Sequence, residues 1–62
     1  MDHAARIALA QAAYEAYGDT TGGLNYQGLP MPSWDDLGDL IRAAWTAAAA
    51  AVVRTHLGEQ EV

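Results

Sequence analysis

Apolar and polar positions recur with a helical period at both ends of this chain and lose that period in between. In the N-terminal part Ile7, Ala10, Tyr14 and Tyr17 lie three or four residues apart and form one stripe on an α-helix. Leu9, Ala13 and Ala16 form a second, flatter stripe of smaller residues. Two stripes on one helix predict two partners, the second helix of the chain and a second subunit. Asp2 is the expected N-cap and Gly18 the expected stop, so the first helix is predicted over about 3–17.

The segment 18–32 holds Gly18, Gly22, Gly23, Gly28, Pro30 and Pro32 and is predicted as a loop. Leu24, Tyr26 and Leu29 are apolar residues within it, expected to pin the loop to the helices through a small β-like bend around Gln27-Gly28. A structureless loop this long is unusual in a small domain and is often functional. Pro32, Ser33 and then Asp36 read as a helix start, with Ser33 accepting from the Asp36 amide and Asp36 reaching back. Trp34 is thereby placed on the first turn, where its indole can cover the seam between helices.

The second helix is predicted over about 34–57, with Gly58 as its stop and a frayed tail at 58–62. Gly38-Asp39 can separate its first turn, Asp39 then acting as a fresh N-cap. Leu37, Ile41, Ala44, Ala48 and Val52 form its predicted inner face, flanked by Leu40, Ala47 and Ala51 on one side and Trp45 on the other. Arg42, Thr46, Ala49 and Val53 fall opposite. The predicted fold is all-α: one domain, a helical hairpin whose two helices are joined by a long Gly/Pro loop.

Length and composition add an oligomer to this picture. A chain of 62 residues buries a small core and is marginal as a monomer. It has no cysteine to staple it and no phenylalanine, so Trp34, Trp45, Tyr14, Tyr17 and Tyr26 supply the bulk. Assembly into a homo-oligomeric helical bundle is the expected missing stabiliser.

Charge narrows the partners. The net charge is −5, there is no lysine, and Arg6, Arg42 and Arg54 are the only arginines, which argues against general nucleic-acid binding. No run of apolar residues is long enough to span a membrane, and an acidic surface is repelled by anionic lipid. The N-terminus lacks a signal-peptide pattern, so a cytoplasmic location is expected.

No catalytic motif emerges. His3 and His56 sit near opposite chain ends, which an antiparallel hairpin brings together, yet two solvated surface histidines account for them. Asp35, Asp36 and Asp39 cluster at a helix start, where the dipole favours negative charge without any metal. Thr20, Thr21 and Ser33 have no histidine base close in sequence. Gly22-Gly23 lacks the spacing and the Lys-Ser/Thr of a phosphate-binding loop. Neither an enzyme, nor a cofactor, nor a metal is expected.

A binding constellation stands beside this. Tyr14, Tyr17, Tyr26, Trp34 and Trp45 can converge where the loop meets the hairpin, and Arg42 lies two turns after Trp34. Aromatic faces stack on bases and arginine grips phosphate, the minimum kit for a nucleotide pocket. The same aromatics at helical spacing also read as bundle core.

Ala13-Tyr14-Glu15-Ala16-Tyr17-Gly18, then Gly28 to Leu37 with Pro32-Ser33-Trp34-Asp35-Asp36, then Ile41-Arg42-Ala43-Ala44-Trp45, resemble small actinobacterial-phage proteins. Those share AYEAY, a glycine-containing loop, PxWxxL and AWxAA. More distantly the chain is similar to the ryanodine-receptor-type (RyR) repeat domain of bacteria and phages, in which a helix ending in an aromatic precedes PSWDD and a second helix. It lacks that domain's His-Glu pair in the first helix and its Gly-Val ending of the second. The resemblance implies a phage accessory protein acting in the host cytoplasm. It implies a non-enzymatic anti-defence sponge that sequesters a nucleotide-type immune signal, such as a cyclic oligonucleotide or an ADP-ribose derivative. Trp34 and Tyr26 would then stack on bases and Arg42 would meet phosphate. The alternative is an acidic protein-interaction module that binds and inhibits or redirects a host protein, which the net charge favours.

Overall fold

Asp2 starts the first helix as expected, its carboxylate accepting from the Ala5 N–H at 2.8 Å. The computed structural model describes residues 2–58, so the expected frayed tail from Glu59 onward lies outside the described residues. Helix α1 spans His3–Thr21, a 3-10 turn spans Trp34–Asp36, and α2 spans Asp39–Leu57. The two helices pack against each other as a hairpin, and the 3-10 turn lies against α1.

Helix α1 runs past the predicted stop. Gly18 is inside the helix, and Gly22, at φ 72°, is the left-handed C-cap. Two features carry the helix across Gly18. The Thr20 hydroxyl donates to the Ala16 carbonyl at 3.1 Å, and the Gly22 and Gly23 amides close on the Gly18 carbonyl. Glycine tolerates a left-handed cap without the steric cost that a Cβ adds, so the second glycine, not the first, ends the helix.

Gly18 also faces the loop. A Cβ built on it lies 3.5 Å from Met31 Cε and 3.6 Å from Met31 Sδ, ordinary contact distances. Gly18→Ala is therefore expected to stabilise the fold by about 0.5–1 kcal/mol, the helix-interior advantage of alanine over glycine. Thermal melts check this, and a lowered Tm would show that Met31 needs the space.

The loop is ordered by its own backbone. Asn25 Oδ1 accepts from Gln27 N–H at 2.9 Å and Leu29 N–H at 3.0 Å, while Asn25 N–H donates to the Leu29 carbonyl at 2.8 Å. Gly28, at φ 79°, supplies the left-handed residue that closes the bend, and Leu24 bridges antiparallel to Pro30. The β-like bend is present, but its side chains do not pin it to the helices. Tyr26 is 87% exposed and Leu29 is exposed, while Met31 packs on the core instead.

The start of α2 also differs from expectation. Ser33 makes no side-chain bond to an amide; its hydroxyl donates to Asp36 Oδ2 at 3.1 Å, and its carbonyl accepts from Asp36 N–H at 3.0 Å. The segment thus closes as a tight 3-10 turn. Leu37 and Gly38 are extended, and Gly38, not Asp39, is the N-cap of α2. Gly58, at φ 75°, ends α2 where the sequence places the stop.

The core is small: Ala10, Tyr14 and Trp34 are its buried members, with Ile7, Met31, Leu37, Trp45 and Ala49 packed around them. On α1 the predicted stripe is inward at Ile7, Ala10 and Tyr14, but its fourth member, Tyr17, is exposed and meets Trp45 only at the edge of the seam. On α2 the predicted faces are exchanged. Trp45, Ala49 and Val53, with Arg42 and Thr46, are the half-buried side, whereas Ile41, Ala44, Ala48 and Val52 are exposed. The reason is volume. Alanine on every side of α2 gives it weak sidedness, so its largest residue, Trp45, decides the rotation by seating edge-on against Tyr14 and Tyr17. Thr46 tolerates the inward side because its hydroxyl donates to the Arg42 carbonyl at 2.8 Å.

Candidate functional site

Four residues whose side chains can donate hydrogen bonds to an anion meet on one flank of the hairpin. His3 and Arg6 come from the first turns of α1, Trp34 from the 3-10 turn and Arg42 from the second turn of α2. They line an open groove of about 560 Å³ together with Ile7, Thr46 and the alanines 43, 47 and 50. Helical spacing produces this wall: His3, Arg6 and Ile7 share a face of α1, and Ala43, Ala47 and Ala50 share a face of α2. The alanines keep the floor low and apolar, so the groove between the helices stays unfilled.

The groove lining holds arginines and no carboxylate in an otherwise acidic chain. The chain carries eight carboxylate side chains against three arginines, and two of those arginines line this groove. Arg42 Nη2 donates to Asp39 Oδ1 at 2.6 Å, and Nη1 reaches the Asp35 carbonyl at 3.4 Å. The Asp39 side chain is 98% exposed, so this ion pair holds Arg42 in place at little energetic gain. Among the described residues Arg6 has no carboxylate partner.

The six predicted site residues divide between two places. Trp34 and Arg42 line the groove just described. Tyr14, Tyr17, Tyr26 and Trp45 line a separate apolar cleft of about 370 Å³, walled also by Leu37 and Ile41. Tyr26 therefore does not meet Trp34 across one ligand site. Trp34 is buried, with Tyr14 tilted against it at 5.9 Å between ring centroids, so little of the indole is open to the groove. Tyr14 is wholly structural in its contacts. Its ring meets both tryptophans and its hydroxyl donates to the Pro32 carbonyl at 2.6 Å, joining α1 to the loop. Burial raises its pKa above the ordinary 10.0.

His3 and Arg6 join Trp34 and Arg42 on the groove and lie outside the six predicted site residues. The available signal was their spacing with Ile7 on the α1 face that precedes Tyr14, combined with the rotation of α2 that brings Arg42 to that side.

His3 and His56 line different grooves, and no group of metal-ligating side chains gathers among the described residues. Among the described residues no helix is long and apolar enough to cross a membrane. Comparison with protein-family models, curated proteins and solved structures returns no match.

Proposed function

We propose that this protein is a non-enzymatic binder of a small phosphorylated, nucleotide-type ligand, held in the groove of His3, Arg6, Trp34 and Arg42. The observation that supports it most is the gathering of two of the three arginines on one apolar groove of an otherwise acidic chain. Guanidinium groups bind phosphate oxygens in pairs of parallel hydrogen bonds. An apolar floor of alanine and Ile7, edged by the Trp34 indole, suits a base or sugar better than it suits a fully solvated anion. Tyr26 has no part in this arrangement. With the resemblance to phage proteins, the role that follows is sequestration of a nucleotide immune signal in the host cell.

Titration with cyclic dinucleotides, ADP-ribose and AMP, followed by calorimetry and tryptophan fluorescence, tests the reading. One of these ligands is expected to bind. Arg6→Ala and Arg42→Ala are each expected to weaken it about 10–100-fold, the range for a hydrogen bond to a charged group, with the melting curve little changed. Equal affinity across the variants, or no binding by any of these ligands, removes the groove from consideration and favours the protein-interaction alternative.

A further inference from the structure

The outer face of α2 is apolar and uncovered. Leu40 is 79% exposed and Val52 69%, Ile41 is exposed beside them, and Ala44 and Ala48 lie exposed between. We infer that this face is the interface of a homodimer in which two copies of α2 pack antiparallel about a two-fold axis near Ala48. The inference stands independently of the ligand groove.

Surface area points to a second copy of the chain. The accessible surface is 4533 Å². A compact monomer of this size exposes about 3,900 Å². The excess of roughly 600 Å² approaches the ~800 Å² that each partner contributes to an ordinary stable interface. Its radius of gyration, 12.7 Å, exceeds the roughly 10.5 Å of a compact chain of this length, as expected of half of a bundle.

Helix dipoles set the direction of packing. Antiparallel neighbours oppose their dipoles, whereas parallel ones align them. Register then sets the fit. With the axis near Ala48, Val52 of one copy lies over Ala44 of the other, a larger side chain above a small one, so the helices can approach closely.

Sedimentation equilibrium across a concentration series tests the dimer, and cysteine cross-linking tests its geometry in a chain that has no native cysteine. The wild type is expected to sediment as a dimer. Val52→Glu is expected to weaken the dimer by roughly 100-fold, because it sets an uncompensated charge in an apolar contact, while helicity is retained since the side chain is exposed in the protomer. Ala48→Cys is expected to form a disulfide dimer under mild oxidation. Leu40→Cys is not, because an antiparallel pair holds its two copies about 24 Å apart. A monomer mass up to millimolar concentration overturns the inference. So does a dimer that Val52→Glu leaves intact, and cross-linking of Leu40→Cys in preference to Ala48→Cys overturns the antiparallel arrangement.

Discussion

Trp34→Ala is expected to leave much of the chain unfolded at room temperature. Trp34 is one of three buried members of the core, and it joins the loop to α1 through its contact with Tyr14. Truncating a buried aromatic residue to alanine costs about 3–5 kcal/mol. A single core in a chain this short rarely supplies more than about 3–5 kcal/mol in total, so the one change removes most of what is available. Far-ultraviolet circular dichroism during thermal denaturation measures the effect. An unchanged Tm would mean that the indole is a surface contact whose removal the helices tolerate.

Tyr14→Ala is expected to be equally severe, again about 3–5 kcal/mol, since it removes the ring that both tryptophans share. Tyr14→Phe separates the ring from the hydroxyl. It keeps the packing and loses the 2.6 Å bond to Pro32, a cost of about 1 kcal/mol. The pH dependence then identifies the hydroxyl. Burial raises the folded-state pKa above 10.0, so at alkaline pH the unfolded chain releases this proton before the folded chain does. The stabilisation is fully present below pH 10.0 and is lost as pH rises through the folded-state pKa. Urea denaturation of the wild type is expected to show falling stability above that pH, and Tyr14→Phe a shallower fall. Parallel slopes in the two proteins would place the alkaline transition elsewhere.

The candidate site was half legible. Trp34 and Arg42 are conspicuous in sequence, and the structure sets them on one groove. Their predicted companion Tyr26 lines a separate cleft, because Asn25 and Gly28 close the loop on itself and hold that ring in solvent. Arg6 and His3 reach the groove through the α1 face on which they lie, and the alanine spacing of α2 leaves it open. Neither fact is visible without knowing how α2 is turned about its axis.

The two helices, the Asp2 cap, the Gly58 stop and the inward stripe of Ile7, Ala10 and Tyr14 were determined by the sequence alone. These features depend on propensity, capping and the spacing of large side chains, which act within a few residues. Tertiary structure decided the rest. It chose Gly22 over Gly18 as the end of α1 through hydrogen bonding and the Met31 contact, and it turned Ser33–Asp36 into a 3-10 turn. Above all it rotated α2, because a helix with alanine on every side has little intrinsic preference and follows its one large aromatic, Trp45, into the seam. That rotation leaves Leu40, Ile41 and Val52 facing outward and places Arg42 on the groove that Arg6 lines.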